Sequence, residues 1–171
     1  MLEIKNLTVK VKNNAPILRG VSLSIDEGTC IGLTGASGSG KTTLIKSIMG
    51  MNGGDLEVPQ GQILLDGDDL LKRSAKERRG LCGKTIGFIP QNPMTAFFPH
   101  AKMDRQIIET LRMHTGTDKK QAHELAENVL RQVNLTDTKR VLRAYPGELS
   151  GGMLQRIAMA LILGTKPKYV L

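Results

Sequence analysis

The sequence predicts an α/β fold built around a phosphate-binding loop. Residues 35–42 match the pattern G-x-x-x-x-G-K-[ST], and they separate an apolar run from a segment whose apolar residues have helical spacing. Residues 1–28 alternate apolar and polar side chains, which is typical of strands with one buried face. Residues 92–160 have helical periodicity instead. Together these observations predict a mixed or parallel nucleotide-binding core, an N-terminal antiparallel β subdomain and an α-helical subdomain.

Strands of the β subdomain are expected to flank the core. Apolar residues alternate along residues 2–25 on both sides of a turn at Asn13 and Asn14. Residues 62–65 add a further apolar strand segment, and residues 52–54 predict the loop before it. We therefore expect an antiparallel sheet.

A short apolar run leads into the phosphate-binding loop. Residues 29–34 predict a buried strand, and the small Cys30 within them is expected in the core. Thr42 is expected to open a helix with one apolar face, and Gly50 is its expected end. The pattern thus predicts a strand, a loop and a helix in that order.

The chemistry of this loop predicts a bound nucleoside triphosphate. Its glycines permit backbone angles at which successive N–H groups converge on one anion, and the positive end of the following helix faces the same phosphates. Lys41 is expected to reach the β and γ phosphates, and the Thr42 hydroxyl to bind Mg²⁺. A glycine-rich turn that binds nothing is the alternative, which the complete spacing disfavours. The predicted phosphate-contacting residues are Gly35, Ala36, Ser37, Gly38, Ser39, Gly40, Lys41, Thr42 and Thr43.

Two apolar stripes predict helices that pack on a core. Asp118 is the expected N-cap of the first helix, and the second follows a glycine pair. The stripe residues are Ala122, Leu125, Ala126, Val129, Leu130 and Val133 in the first helix, and Leu154, Ile157, Ala158, Leu161 and Ile162 in the second.

Two further motifs accompany the loop. Residues 149–152 read Leu-Ser-Gly-Gly, which places a serine hydroxyl and glycine N–H groups at a predicted helix N-terminus and so predicts a second anion site. Gln91 follows residues 85–89, a predicted strand. With these motifs the sequence resembles the ATP-binding subunit of an ABC transporter, a P-loop NTPase of ABC type.

The resemblance implies an ATP site that two subunits share. It implies that Gln91 contacts Mg²⁺ and the attacking water, so Lys41 and Gln91 are the implied catalytic residues, and Thr42 and Gln91 the implied Mg²⁺ ligands. It also implies that the Leu-Ser-Gly-Gly motif binds the γ-phosphate of ATP held by a second ABC ATPase subunit, identical or not, in a head-to-tail dimer. The implied ATP-binding residues of that motif are Ser150, Gly151 and Gly152.

Further partners and a location follow from the resemblance. It implies two transmembrane permease subunits, an extracytoplasmic solute-binding protein that acts indirectly, and a peripheral position on the cytoplasmic face of the cell membrane. No run approaches the roughly 18 apolar residues that span a bilayer, so we expect membrane association through partners. Residues 91–99 resemble the extended glutamine loop of peptide and nickel importers, and residues 146–148 resemble the loop that senses the membrane subunits.

The sequence departs from the family pattern in two places. No aromatic residue precedes Phe88, so adenine is expected to lie on an aliphatic residue such as Val11 or Ile17. Residues 168–171 resemble the strand that ends in an Asp and a catalytic Glu in the family, and neither of these residues nor the later switch His is present. The chain is therefore expected to be truncated just before Walker B, with little or no turnover of its own.

The predicted organisation has three segments. Residues 1–91 would form the β subdomain and the phosphate-loop core, residues 92–160 the helical subdomain, and residues 161–171 the start of the Walker B strand.

Composition bears on the alternative functions. The net charge of +8 permits nucleic-acid binding, but aromatics are only 3% of residues and none lies among basic residues as a stacking platform would require. The basic run at residues 72–79 is expected to be a solvated helical face. A soluble ABC-type ATPase of DNA repair or translation is one alternative, disfavoured because the segment between Gln91 and Ser150 lacks heptads and cysteine pairs. A nucleotide-binding module without turnover is another.

Overall fold

The computed structural model describes residues 1–51, 53 and 55–171. It forms two compact units, Met1–Gly80 and Leu81–Leu171. Of the predicted loop at residues 52–54, Asn52 and Gly54 lie outside the described residues. The boundary between the compact units precedes residue 91, and the three-segment division proposed from the sequence stays a prediction.

The first unit consists mainly of an antiparallel sheet. Its strands lie in the order β2-β1-β3-β4, and every neighbouring pair is antiparallel. The hairpin between the first two strands turns at Asn13, whose φ is +60°, as predicted. The elements of this unit are β1 (Leu2–Val11), β2 (Pro16–Ile25), α1 (Lys41–Met49), β3 (Leu56–Leu65), β4 (Asp68–Asp69), a 3-10 turn (Leu70–Lys72) and α2 (Ala75–Leu81).

Strand β1 lies between β2 and β3 and supplies much of the core of this unit. Leu2 and Ile4 face inward and are almost fully buried, as is Ile63 on β3. The polar residues between them face outward, which is the alternation that the sequence predicts. The antiparallel β subdomain is therefore confirmed.

Gly61 allows β1 and β3 to approach closely. Its φ is +108°, and a Cβ added there would lie 2.5 Å from Leu7 Cα and 2.7 Å from the Asn6 carbonyl oxygen. The register of β1 with β3 shifts at this point, between Lys5 and Thr8. A side chain at residue 61 would therefore push the two backbones apart.

The predicted buried strand at residues 29–34 is wrong. This segment forms no strand among the described residues, and Ile31 and Leu33 are each 44% exposed. Cys30, expected in the core, is exposed as well. A strand requires a hydrogen-bonded neighbour, and the part of the chain that the structure describes pairs no strand with this segment.

The second unit is mainly helical. A short parallel pair joins Ile86 to Tyr169 and Gly87 to Val170. A strand therefore lies within the predicted residues 85–89, but it spans only Ile86–Gly87, and single backbone hydrogen bonds continue the pairing at Thr85 and Ile89. The elements are β5 (Ile86–Gly87), a 3-10 turn (Pro93–Ala96), α3 (Met103–Thr115), α4 (Lys119–Gln132), α5 (Thr138–Arg143), a 3-10 turn (Pro146–Glu148), α6 (Gly151–Thr165) and β6 (Tyr169–Val170).

Helices α3, α4 and α6 enclose the core of this unit. Asp118 caps α4 as predicted, since its carboxylate accepts from Gln121 N and the Gln121 side chain accepts from Asp118 N. The first predicted stripe lies in or against this core, and so does the second except for Ile162. Its fully buried members include Leu111, Leu130 and Leu154. None of the described helices is long and apolar enough to cross a membrane.

Candidate functional site

The phosphate-binding loop has the backbone that its glycines predict. Gly35, Gly38 and Gly40 have φ values of +156°, +79° and +92°, which side chains rarely adopt. Gly40 is also the N-cap of α1 and packs against β2, where an added Cβ would lie 2.6 Å from Leu18 Cδ2. The loop therefore rests on the sheet of the first unit at the point where α1 begins.

Helix α1 is anchored by its apolar face. Leu44, Ile48 and Met49 are buried, and the Ser47 hydroxyl donates to the Thr43 carbonyl. Gly50 ends the helix in a left-handed conformation, as predicted. The anchored helix fixes the direction in which its first N–H groups point, which is toward the loop.

Lys41 lies folded over the loop. Its ammonium group donates to the carbonyl oxygens of Gly35 and Ala36, each at 2.7 Å, and to the Ser39 hydroxyl at 3.4 Å. These oxygens accept hydrogen bonds from the ammonium group, as phosphate oxygens would.

The residues of the loop fit a polyphosphate with Mg²⁺. Residues 35–39 are exposed, and so is Thr42, whose hydroxyl is open to a ligand. Exposed backbone N–H groups and one ammonium group can donate to phosphate oxygens, and one hydroxyl oxygen can ligate a phosphate-bound Mg²⁺. No group of three His, Cys, Asp or Glu side chains that could hold a metal lies among the described residues.

Ser150 caps helix α6. Its hydroxyl oxygen accepts from Met153 N at 3.3 Å, and α6 begins at Gly151. Gly151 and Gly152 are exposed, and no described atom lies within 4 Å of a Cβ added to either. Leu149, the first residue of the motif, and Leu154 after it are buried and anchor the segment that carries Ser150. The motif presents an open helix N-terminus, as the sequence predicts.

Gln91 lies in the second unit with the Ser150 motif. It is exposed and precedes a 3-10 turn that Asn92 caps by accepting from Met94 N at 3.1 Å. The phosphate-binding loop belongs to the first unit. The roles assigned to Lys41, Thr42, Gln91 and Ser150 stay predictions.

Sequence reasoning passed over Gln106, a residue of α3. Its side-chain amide accepts from Phe98 N at 2.8 Å and donates to the carbonyl oxygens of Phe98 at 3.1 Å and Ala101 at 2.7 Å. A single glutamine on an amphipathic helix carries no motif. These contacts depend on a loop that returns to the helix, and no local pattern signals that return.

Comparison with known proteins assigns the chain to a family. The family model of ABC transporters matches residues 18–171. The metal-staphylopine import system ATP-binding protein CntD of Staphylococcus aureus strain Mu50 is 36% identical over 172 residues, which cover 100% of this chain and 63% of that protein. The dipeptide transport ATP-binding protein DppD of Escherichia coli is 34% identical over 174 residues, which cover 100% of this chain and 53% of that protein. The chain thus spans between half and two thirds of these relatives.

Solved structures share the fold. The dimeric ATP-binding cassette MJ0796, in a post-hydrolysis state with ADP and Pi, matches with a TM-score of 0.84 at 24% identity, over 99% of this chain and 72% of that chain. At this identity the likeness shows the fold alone, and it confirms the predicted ABC-type P-loop fold. The family model, in turn, matches most of the sequence. The chain belongs to the ABC transporter family.

Proposed function

We propose that this chain is the ATP-binding part of an ATPase subunit that powers an ABC importer. The observation that carries the proposal is the exposed phosphate-binding loop at the start of α1, together with the open Ser150 motif at the start of α6. The names of the relatives support the importer class, since one is named for metal-staphylopine import and the other for dipeptide transport.

Lys41 is the proposed phosphate ligand. On binding of ATP its ammonium group leaves the carbonyl oxygens of Gly35 and Ala36 and moves to the β and γ phosphates. The loop N–H groups would hold the same phosphates, and Thr42 and Gln91 are the residues that would hold Mg²⁺, whose charge would stabilise the transferred phosphoryl group. Gln91 also orients the attacking water. Catalysis then consists of positioning and charge stabilisation.

Ser150 is proposed to act on ATP held by a second ABC ATPase subunit in a head-to-tail dimer. Its oxygen already accepts from Met153 N, and a hydroxyl keeps one hydrogen to donate. That hydrogen, with the N–H groups of Gly151 and Gly152, can bind a γ-phosphate across the dimer. ATP would thus favour the closed dimer, and hydrolysis would release it.

The proposed assembly includes two transmembrane permease subunits and, indirectly, an extracytoplasmic solute-binding protein. The ATPase subunit would lie on the cytoplasmic face of the membrane as a peripheral protein, and closure of its dimer would move the permeases through the Gln91 loop. The proposed cargo is a short peptide or nickel, and the relatives named for dipeptide transport and for metal-staphylopine import support a peptide or a metal cargo.

Titration of the full-length protein with Mg-ATP tests this proposal. Lys41→Ala removes charge-assisted contacts worth about 1.5–3 kcal/mol each, so we expect the Kd for ATP to rise at least about tenfold. Lys46→Ala, an exposed lysine on the same helix, is the control and should leave the Kd unchanged. Equal affinity of the Lys41→Ala variant and the parent protein would overturn the assignment of the loop.

A further inference from the structure

We propose that a cavity next to the Ser150 motif binds an acidic amino acid or dipeptide, with two carboxylates and one ammonium group, and that this ligand opposes the ATP-dependent dimer. The cavity lies within the second unit, where residues of α5 and of the 3-10 turn before Ser150 line it. The inference rests on the proposed function, because it assigns a regulator to the motif that would bind ATP of a second subunit.

The first observation is the size and the lining of this cavity. Its volume is about 430 Å³, which is in the range of small-molecule sites in proteins. Its lining residues are Arg140, Arg143, Ala144, Glu148 and Leu149. Arg140 and Arg143 lie three residues apart on α5, so their side chains share one face of the helix. Two guanidinium groups and one carboxylate therefore line the same space.

The second observation is that these opposite charges do not neutralise each other. Neither Arg140 nor Arg143 forms an ion pair with Glu148, or with any other carboxylate in the described part of the chain. The Oε2 atom of Glu148 accepts from Tyr145 N at 2.7 Å. This bond fixes the carboxylate on its turn and leaves its Oε1 atom for a ligand. All three charged groups are therefore available to a bound molecule.

The balance of these charges selects the class of ligand. A guanidinium group binds a carboxylate through two parallel N–H donors, so Arg140 and Arg143 together match two carboxylates. The Glu148 carboxylate would repel a further anionic group and would instead accept from an ammonium group. An acidic amino acid or an acidic dipeptide carries this set of charges. A short peptide is also one of the proposed cargoes, so the ligand can be a product of import.

A second cavity of similar size lacks this arrangement. Its volume is about 410 Å³, and Glu109 and Arg112 are its charged lining residues. The Glu109 carboxylate already pairs with the Arg105 side chain at 3.2 Å. This cavity therefore offers one guanidinium group and a carboxylate that is already paired, and Arg112 provides a matched control.

The first cavity also adjoins the motif that is proposed to bind ATP across the dimer. Leu149 lines the cavity, is buried and directly precedes Ser150. Its N–H donates to the Pro146 carbonyl at 3.2 Å, which joins it to the turn that carries Glu148. A ligand in the cavity would lie next to the motif that ATP of the second subunit must reach. A ligand that binds only the separate subunit opposes dimerisation by linkage.

Calorimetric titration of the full-length subunit with the dipeptide Gly-Glu tests the site. We expect a double variant, Arg140→Ala with Arg143→Ala, to bind Gly-Glu at least about tenfold more weakly, because it loses charge-assisted hydrogen bonds. Arg112→Ala is the matched control and should leave the Kd for Gly-Glu unchanged. Absence of binding to the parent protein, or an equal Kd for the double variant, would overturn the inference. Failure of the parent protein to bind Mg-ATP in a parallel titration would overturn the proposed function instead.

A comparison of two peptides tests the contact between Glu148 and the ammonium group. Glu148→Gln keeps an acceptor for Tyr145 N and removes the negative charge. This change should weaken binding of Gly-Glu but not of acetyl-Gly-Glu, whose N-terminus carries no charge. An equal effect on the two peptides would show that Glu148 does not bind the ammonium group, and the assigned class of ligand would then be wrong.

Light scattering of the full-length, hydrolysis-blocked protein tests the link to the dimer. Saturating Gly-Glu should raise the Mg-ATP concentration at which half of the parent protein is dimeric, and it should have no such effect on the double variant. Without Gly-Glu the two proteins should dimerise equally. An unchanged midpoint for the parent protein would contradict the regulatory role. Weaker dimers of the double variant without Gly-Glu would show that the cavity serves ATP of the second subunit, and the inference would be wrong.

Discussion

His114 gives the clearest case in which one residue acquires its properties from the fold. Its ring lies directly against Gly83, where an added Cβ would collide with it. Burial lowers the pKa of His114 from its ordinary value of 6.5, and the nearby Lys84 ammonium group lowers this pKa further. Nothing in the sequence near His114 indicates either neighbour.

This lowered pKa predicts acid sensitivity. As pH falls below about 6.5, His114 takes up a proton in the unfolded chain before it does so in the folded protein. The stability that His114 contributes above about pH 6.5 is therefore lost as pH falls through its lower folded pKa. Chemical denaturation between pH 5 and 7.5 should show this loss, and His114→Gln should reduce it. The exposed His123→Gln is the control, and equal pH profiles for all three proteins would contradict the prediction.

Phe97 and Phe98 illustrate that residue type alone does not determine burial. The two residues are chemically identical neighbours, yet one is in the core and one is in solvent. Which of them points inward depends on the loop backbone, and the Gln106 side chain of α3 bonds the N–H and carbonyl groups of Phe98 in that backbone.

At the scale of elements, local rules hold wherever an element supplies its own hydrogen bonds. Helix α4 begins at the Asp118 capping box and α1 ends at Gly50, both as predicted. Caps act over three or four residues, so a pattern in the sequence suffices. The strand predicted at residues 29–34 is wrong because a strand does not supply its own hydrogen bonds. It needs a partner strand that is distant in sequence.

The close approach of β1 and β3 predicts the cost of a substitution. Gly61→Ala combines a positive φ with a clash against the backbone of Asn6 and Leu7, and we expect it to lower the free energy of unfolding by about 2–3 kcal/mol. Gly67→Ala is the matched control, because its φ is +88° and no described atom lies within 4 Å of its added Cβ. The control should cost about 1–2 kcal/mol, the penalty of the left-handed backbone alone. Equal costs measured by urea denaturation would show that the clash is relieved without strain.

At the scale of the whole molecule, the chain divides into two compact units that carry different parts of the proposed site. The phosphate-binding loop belongs to Met1–Gly80, and Gln91 and Ser150 belong to Leu81–Leu171. The two proposed anion sites on one chain fit the proposal that two subunits share each ATP site.

This arrangement predicts that the caps of two helices have different roles. Ser150→Ala and Asp118→Ala each remove an N-cap, and each should cost about 1 kcal/mol of folding stability. Only Ser150→Ala should also abolish ATP-dependent dimers of a full-length, hydrolysis-blocked protein. Light scattering with saturating Mg-ATP measures the difference. Normal dimers of the Ser150→Ala variant would contradict the shared site.

The sequence by itself determined the phosphate-binding loop, the helix caps, the apolar stripes and the antiparallel hairpin. Each of these depends on backbone angles or on side-chain periodicity within a few residues, which a linear pattern records. Only the tertiary structure decided the exposure of residues 29–34, the lowered pKa of His114 and the outward direction of Phe98. These properties depend on neighbours that are distant along the chain, such as Lys84 beside His114 and Gln106 beside Phe98, and their positions follow from packing.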